Sequence, residues 1–303
     1  MIKNKDLYLP LREDRIGDIV LSLAEIENVD EFSSLLRNYV SVHYPETEYS
    51  YGYDFINSSL EGREDNQLLN GKKSVWCILN FGNIVGYIAT TVKDNNCVKI
   101  NHCVLRPGNY NNGIASGAIL KLARFYENLG VFKIYATAPK NHTSACGCLS
   151  AAGFSIELTL KKHYSEFEDE IVFSRLLNPQ AILIDGKIDK VKPNYIEGHD
   201  FFDYSIKPCK HFYFGHKLFG LAFPKRGGAV KLQLITFNVQ SSKHLINLSM
   251  QFFLPLGKRR LYCLVPVSEK ELINGFIQEN FEIEGQIQMQ LNTDSLVLIA
   301  KNF

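Results

Sequence analysis

Hydrophobic and polar positions in the first third of the chain follow the periods of short strands and of one amphipathic helix. In DIVLSLAEI, which begins at Asp18, branched apolar residues alternate with polar ones and predict a strand. In NVDEFSSLLRNYVSVHYP, apolar residues recur at helical spacing, with Asn28 as the predicted N-cap and Pro45 as the stop. Three strand-like runs follow: SVWCILN, NIVGYIATTV and CVKINHCVL. Because only Phe81-Gly82 and Lys93–Asn96 separate them, these runs are predicted to pair as antiparallel hairpins.

The pattern continues with a second helix, a strand, a short helix of small residues and two more strands. The second helix runs from about Asn112 to Asn128, and Gly130 suits its C-terminal cap. Its predicted apolar face comprises Ile114, Ala118, Leu122 and Phe125. The later elements are VFKIYATAP, HTSACGCLSAAGF, SIELTLKKHY and EIVFSRLL. This order predicts an α+β fold (mixed α/β), in which helices flank a mixed, mostly antiparallel twisted sheet with a parallel crossover near its middle.

The residues after about 178 repeat this pattern. Four residue types recur at one offset of 127 positions: Gly130 and Gly257, Tyr135 and Tyr262, Pro139 and Pro266, and Phe154 and Phe281. Farther upstream, Val98-Lys99 matches Val230-Lys231 at an offset of 132, so the second copy lacks five residues between a strand and a helix. Two domains of one fold unit are therefore predicted, residues 1–177 and 178–303.

Composition limits the classes of function. A net charge of +1 over 303 residues gives no strong field toward nucleic acid or an anionic membrane. No apolar run is long enough for a signal peptide or a bilayer span, so a cytoplasmic protein without membrane contact is expected. The seven cysteines, odd in number and mostly inside apolar runs, indicate reduced thiols. Cys146 and Cys148 have only His142 nearby, so no metal site is expected.

The connection LRPGNYNNGIASG, which begins at Leu105, is rich in residues that tolerate unusual backbone angles. A strand that enters a helix through such a turn presents several free backbone N–H groups at the positive end of the helix dipole, which predicts a phosphate site. Asn111, Asn112 and Gly113 suit the left-handed angles of a cradle of this kind. The loop matches neither the G-x-G-x-x-G spacing nor a Gly-Lys-Ser/Thr ending. The second copy has TFNVQSSKHLINL instead, without glycine, so it is predicted to lack the cradle.

Residues from about 18 to 177 resemble the GNAT superfamily of acyl-CoA-dependent N-acyltransferases, and the likeness covers about half the chain. Leu105 and Pro107 end the strand as in the family signature, and Gly113-Ile114-Ala115 matches its entry into the helix. Tyr110 stands where Arg or Gln is usual. The resemblance implies two GNAT-like domains, of which the second is degenerate.

A later family element is an Asn followed by a small-residue helix that closes with Gly-Phe. Asn141, Ala145 and Gly153-Phe154 resemble it, with the Asn one residue farther from Gly-Phe than usual. Leu149 fills the position at which many members carry a Tyr acid for the leaving thiolate.

The resemblance implies that acetyl-CoA, or another acyl-CoA, is the co-substrate. Backbone groups of Cys103, Val104 and Leu105 would bond its pantetheine arm. The cofactor-binding set is completed by the pyrophosphate loop and the later Asn: Tyr110, Asn111, Asn112, Gly113, Ile114, Ala115, Ser116 and Asn141. The strands beside the crossover would part to leave a slot for the thioester. The implied reaction is direct attack on the thioester by a primary amine, expected to belong to a small molecule, with a peptide or protein amine left open.

Two residues are candidates for the catalytic base. His102 titrates near neutrality and would serve if it faces the slot, whereas a packed position on the other face of the sheet would exclude it. Asn101, which strand alternation points the other way, could hold a water that acts as base. Cys103 would share a face with Asn101, but an apolar strand raises a thiol's pKa, which favours direct transfer over a ping-pong route.

Tyr51 and Tyr53 suit an acceptor-binding loop, since Tyr offers a flat apolar ring and a hydroxyl, and a loop fixed to the core by its aromatic rings is an equal alternative. The second domain is expected to pack on the first, to cover the acceptor site, or to mediate self-association as a homodimer. Two rival functions stay open: a non-catalytic acyl-CoA-binding module, and a protein-interaction module in which neither copy binds nucleotide.

Overall fold

The computed structural model of the chain describes residues 19–40, 52–53, 55–57, 59, 73–93, 97–164, 167–177, 210–214, 217–224, 228–234, 239–287 and 295–303. Within it the chain divides into two compact units. Unit 1 comprises Met1–Ile156 and Val172–Lys187, and unit 2 comprises Glu157–Ile171 and Ile188–Phe303. This division differs from the predicted domains in two respects: residues 157–171 group with the later unit, and residues 178–187 group with the earlier one.

The elements from β1 to β7 agree closely with those predicted from the hydrophobic pattern. They are β1 (Ile19–Leu23), α1 (Val29–Tyr39), β2 (Lys73–Asn80), β3 (Asn83–Lys93), β4 (Cys97–Leu105), α2 (Ile114–Asn128), β5 (Lys133–Pro139), α3 (Thr143–Ala151), β6 (Ser155–Leu160) and β7 (Glu170–Leu176). In unit 1 the strand order is β1-β2-β3-β4-β5-β7. Neighbours from β1 to β4 are antiparallel, and β4 and β5 are parallel. The predicted mixed, mostly antiparallel sheet is therefore confirmed.

Two helices cover opposite faces of this sheet. Phe32 and Leu36 of α1 belong to the same buried cluster as Tyr87, Ala89 and Val104 of the sheet. On the other face, the rings of Trp76 and Phe125 lie 5.1 Å apart, and the hydroxyls of Thr90 and Tyr126 are 2.9 Å apart. All four residues of the predicted apolar face of α2 are buried: Ile114, Ala118, Leu122 and Phe125. Alternation along β2 and β3 thus sends neighbouring side chains to different helices.

The start of α1 lies at the predicted N-cap. Asn28 does hold the N-cap position, but its side chain makes no capping hydrogen bond to α1. Its Oδ1 instead accepts from the backbone N–H of Glu25 at 2.8 Å. That bond closes the short 3₁₀ helix Ile26–Asn28, which precedes α1 and was not predicted.

Unit 2 contains the later strands and helices. They are β8 (Lys210–Phe214), β9 (Lys217–Pro224), β10 (Ala229–Leu234), α4 (Val239–Phe253), β11 (Arg260–Pro266), α5 (Lys270–Gln278), β12 (Glu282–Ile287) and β13 (Leu296–Asn302). The strand order is β6-β12-β13-β11-β10-β9-β8, in which β10 and β11 are parallel and the other described pairs are antiparallel. Leu232, Leu245, Ile246 and Phe276 lie at the centre of its core.

The positions of these elements follow the offsets seen in the sequence. β11, α5 and β12 begin and end 127 residues after β5, α3 and β6. Gly130 and Gly257 both have left-handed backbones, with φ of 77° and 73°. The parallel register that starts at Cys97↔Lys133 in unit 1 starts at Ala229↔Arg260 in unit 2, as offsets of 132 and 127 require. The element order from β2 to β7 is therefore repeated from β8 to β13.

No helix among the described residues is both long and apolar enough to cross a membrane.

Close backbone approach at one glycine of β3 gives a test of this packing. A Cβ at Gly86 would lie 2.4 Å from the carbonyl oxygen of Val104 and 2.7 Å from Cδ2 of Leu105, whereas a Cβ at Gly147 in α3 would meet nothing within 4 Å. We expect Gly86→Ala to lower the free energy of unfolding by about 2 kcal/mol or more through overpacking. Gly147→Ala should instead be neutral or stabilising by up to about 1 kcal/mol, since Ala favours helix. Urea unfolding measures both, and equal stability of the two variants would contradict the β3–β4 register.

Candidate functional site

The parallel strands at the centre of unit 1 separate part of the way along. The register of β4 with β5 runs from Cys97↔Lys133 to Ile100↔Ala136. β4 continues to Leu105, paired with β3, and β5 continues to Pro139. The backbone of Asn101–Leu105 on the β5 side thus borders an opening between the strands, at the place where the sequence predicted a slot.

A β-bulge in β4 determines which side chains face this region. Ala89 pairs with His102, but Thr90 pairs with Ile100, so Asn101 is the extra residue of the bulge. Asn101 Oδ1 accepts a hydrogen bond from Thr91 Oγ1 at 2.8 Å. Thr91 and Ala89 lie on one face of β3, the face that packs on α1.

The bulge makes two of the predictions wrong. Asn101 and His102 lie on the same face, toward α1, because the extra residue shifts the alternation by one position. Cys103 pairs with Ile88 and lies on the opposite face, so it does not share a face with Asn101. Both candidates for the base are consequently on one side of the sheet. The ring nitrogen Nε2 of His102 is buried there.

The loop between β4 and α2 has the backbone angles of a cradle. Gly108, Asn111 and Gly113 are left-handed, with φ of 85°, 64° and 71°. Asn111 and Gly113 were predicted to adopt such angles, and Asn112 between them does not. Gly113 is the N-cap of α2, and its carbonyl accepts from the N–H of Gly117 at 2.9 Å. The N–H groups of the first turn therefore point out of the helix, and that turn carries no acidic side chain to repel an anion.

A cleft of about 420 Å³ opens at this loop. Its polar side consists of Asn109, Asn112, Gly113 and Ser116. The remaining lining is mainly apolar: Ile19, Asn80, Phe81, Ile114, Gly117, Leu120 and Ala151. Backbone donors and an apolar wall therefore meet in one cleft.

A charged cluster connects the start of the loop to α1. The guanidinium of Arg106 donates from Nε and Nη2 to the carboxylate of Glu31, the second bond at 2.7 Å. The hydroxyl of Tyr87 donates to Glu31 Oε2 at 2.5 Å. The bond from Arg106 holds the pKa of Glu31 below its ordinary value, and burial together with Glu31 raises the pKa of Tyr87. Glu31 is therefore an anion committed to Arg106 and a poor base.

The thiols near the opening are not activated. Burial raises the pKa of Cys103 well above its ordinary value, and a neighbouring charge at Cys148 would raise it further. Burial raises the pKa of Cys148 to about 11. Both thiols are protonated near neutral pH and are weak nucleophiles. Leu149, which stands at the position of the usual Tyr acid, is only 5 % exposed.

The other predicted residues lie at the edges of the region. Tyr53 packs against the cluster under α1, and its hydroxyl donates to Asp30. These contacts are compatible with both alternatives for Tyr53, a loop fixed to the core and an acceptor-binding loop. Tyr110 is exposed, and its hydroxyl donates to the carbonyl of Leu105 at 3.2 Å. Asn141 lies in the turn between β5 and α3. Tyr51 lies outside the described residues.

Several residues of the site had no role in the sequence prediction. Thr91, Glu31 and Arg106 act through contacts between distant segments, and no local pattern marks them. Phe81 did carry a signal, since a bulky residue is unusual at the first position of a two-residue hairpin loop.

Comparison with known proteins places a family match on this part of the chain. Residues 30–154 match the sequence model of the acetyltransferase (GNAT) family. The matched segment contains α1, β4, the loop, α2 and α3. No curated protein matches the chain in sequence.

Solved structures similar to part of the chain include three acetyltransferases. Spermidine N-acetyltransferase from Vibrio cholerae, in complex with CoA and spermine, is 15 % identical over 53 % of this chain and 96 % of its own, with a TM-score of 0.44. A GNAT-family acetyltransferase from Bacillus anthracis is 18 % identical over 57 % and 99 %, with a TM-score of 0.44. The microcin C7 self-immunity acetyltransferase MccE, in complex with acetyl-CoA and AMP, is 18 % identical over 54 % and 97 %, with a TM-score of 0.43.

The Arg106–Glu31 pair predicts a pH-dependent contribution to stability. Because the pKa of Glu31 is lowered in the folded state, the contribution is fully present above the ordinary value of 4.5 and is lost as pH falls through the folded pKa. We expect Arg106→Ala to lower the free energy of unfolding at neutral pH by roughly 0.5–1 kcal/mol, since both side chains are partly exposed.

Urea unfolding of wild type and Arg106→Ala between about pH 7 and pH 3 measures this difference, which should narrow at the acid end. Lys270→Ala, which removes an exposed cation from the start of α5, is the control and should change stability little at any pH. A difference that stays constant with pH would mean that Arg106 stabilises the fold by packing alone.

Proposed function

We propose that the domain formed by residues 30–154, which match the acetyltransferase (GNAT) family model, transfers the acyl group of acetyl-CoA, or of another acyl-CoA, to a primary amine of a small molecule by direct attack. The observation that carries the proposal is the separation of β4 from β5 after Ile100, directly before a loop with the angles of a phosphate cradle. An extended thioester needs both features at one place.

The backbone of β4 and the loop supply the binding groups in this proposal. Cys103, Val104 and Leu105 bond the pantetheine arm as an added strand would. The N–H groups of Tyr110 to Ser116 hold the pyrophosphate at the positive end of α2. Main-chain donors serve here in place of lysine or arginine side chains, which residues 107–116 lack. The turn at Asn141 lies beside the same ligand.

The acceptor approaches from the α1 face of the sheet, where the bulge puts both candidates for the base. The amine nitrogen bonds to the thioester carbonyl carbon, the C–S bond breaks, and CoA leaves as the thiolate. The ammonium proton passes to His102, or to a water held by Asn101. A backbone N–H of β4 that is not used by β5 stabilises the oxyanion. Because the thiols of Cys103 and Cys148 are protonated, no acyl-enzyme step is included.

We further propose that unit 2 is a degenerate copy of the same fold unit. Support comes from the repeated element order and from the five residues missing where unit 1 has its cradle. Such a copy would not bind CoA. Its uses would be to support unit 1, to cover the acceptor site, or to form a homodimer. The free thiols of both units would stay reduced in the cytoplasm.

A second candidate function is a non-catalytic acyl-CoA-binding module, and it is favoured by Leu149, a buried apolar residue at the position of the usual acid. The two candidates differ in one outcome, because only the enzyme releases free thiol from acetyl-CoA when primary amines are supplied.

Replacing Gly113 tests the cradle. Acetyl-CoA at 100 times its Kd should stabilise the native wild-type protein by about 2.7 kcal/mol, which appears as a rise in Tm. Gly113→Val should abolish that rise, because a branched residue resists a φ of 71°. Each variant is compared with its own ligand-free Tm, so a loss of stability is separated from a loss of binding. Gly113→Asn, which tolerates left-handed angles, should keep most of the rise.

The matched control is Gln240→Val, an exposed position in the first turn of α4 of unit 2. It should leave the rise unchanged. If Gly113→Val and Gln240→Val lost the Tm rise equally, the assignment of the cradle to unit 1 would be refuted. If acetyl-CoA did not raise the Tm of the wild type, the proposed function would be refuted.

Replacing the residues of the bulge tests the chemistry. With a panel of primary amines and detection of released thiol, His102→Gln or Asn101→Ala should lower kcat by a factor of about 10² or more if the residue serves the base. If His102 is the base, the wild-type rate should fall toward acid pH and the variant should lack that limb. Acetyl-CoA binding, measured by the Tm rise, should stay as in the wild type.

The outcomes separate the candidates. A loss of kcat in Asn101→Ala alone would assign the role of base to a water held by Asn101. Unchanged kcat in both variants would contradict a role for the bulge, and absence of thiol release with every amine, despite binding, would favour the non-catalytic module.

A further inference from the structure

Phe81 occupies a backbone conformation that does not suit it. Phe81 and Gly82 form the two-residue loop of the β2–β3 hairpin, since Asn80 pairs with Asn83. Their φ angles are 50° and 78°, so both central residues are left-handed, as in a type I′ turn. Asn, Asp and Gly are the usual residues there, because a larger side chain crowds the backbone in this region. A turn that served only to connect two strands would gain stability from any of these three.

The ring of Phe81 also contributes little to the core. The residue is 71 % exposed, whereas Trp76 and Ile78 of the preceding strand β2 are fully buried. The backbone angles of Phe81 are therefore unfavourable, and burial of its side chain does not offset them. A strained residue that the fold does not need points to a role in binding.

The surroundings of Phe81 show where that binding would occur. Phe81 lines the cleft of about 420 Å³ whose polar side is formed by Asn109, Asn112, Gly113 and Ser116. Ile19 and Leu120 extend the apolar part of the lining. An exposed aromatic ring thus borders the same cleft as the backbone donors of the loop, although Phe81 and Gly113 are distant in sequence.

We propose that Phe81 binds the adenine ring of the acyl-CoA by stacking. The proposal rests on the proposed function, in which the loop at Gly113 holds the pyrophosphate. That pyrophosphate is joined on one side to the pantetheine arm and on the other to adenosine. With the arm directed into the opening between β4 and β5, the adenosine end lies on the side of the cleft. A flat purine is a suitable partner for an exposed ring, since stacking needs no hydrogen-bond pattern.

Binding of two truncated ligands by wild type and Phe81→Asn tests the proposal by calorimetry. Asn suits the left-handed turn, so the ligand-free variant should melt at the same temperature as the wild type or higher. Its Kd for acetyl-CoA should rise about tenfold, as loss of one base stack predicts. Its Kd for S-acetyl-4′-phosphopantetheine, which lacks adenosine, should not change. The affinity of Phe81→Asn for adenosine 3′,5′-bisphosphate should fall by about as much as its affinity for acetyl-CoA.

Two further variants separate stacking from a structural effect. Phe81→Trp keeps an aromatic face and should keep the affinity for acetyl-CoA. Phe167→Asn, which removes a residue that is 90 % exposed and lies outside the cleft lining, should leave every Kd unchanged.

The results distinguish this proposal from the one it rests on. If the wild type binds acetyl-CoA and Phe81→Asn binds it equally well, stacking on Phe81 is refuted and the proposed function stands. Equal weakening of acetyl-CoA and S-acetyl-4′-phosphopantetheine would also refute it, because the effect would not involve adenine. If the wild type binds neither ligand, both proposals fail together.

Discussion

Strand β4 is paired with β3 as far as Leu105 but with β5 only as far as Ile100. Backbone N–H and C=O groups require partners, so a strand that loses its neighbour offers a row of groups to an extended ligand. The loop that follows the strand turns through three left-handed residues into the start of α2, where further N–H groups are exposed. The proposed binding of the ligand at the opening and at the loop would therefore depend on one local geometry, the place where β4 leaves β5.

The bulge at Asn101 determines which face of the sheet carries the two candidates for the base. Without it, Asn101 and His102 would face opposite sides of the sheet, and only one could meet an acceptor. With it, both face α1, and Thr91 fixes the Asn101 side chain by a hydrogen bond. The ion pair of Arg106 with Glu31 ties the end of the same strand to α1. The end of the strand that borders the opening is thus held to α1.

The sequence predicts elements well where the signal is local. Left-handed Gly130 and Gly153 end their helices as expected, and the apolar face of α2 is buried as its spacing implied. The bulge could not be predicted, because it is a property of the pairing between β3 and β4 and not of KINHCVL alone. The Glu31–Arg106 contact joins residues 75 positions apart, so no periodicity reveals it. Phe81 was visible in the sequence as a misplaced turn residue, but its meaning required the cleft beside it.

The most direct measurement of the central claim is backbone hydrogen exchange of the full chain with and without acetyl-CoA. If the pantetheine arm occupies the place that β5 leaves, amides of Asn101–Leu105 and Tyr110–Ser116 should gain protection together. Amides of Ala229–Leu234 in unit 2 should not change. Protection confined to unit 2, or an unchanged pattern in β4 while the ligand is bound, would contradict the account.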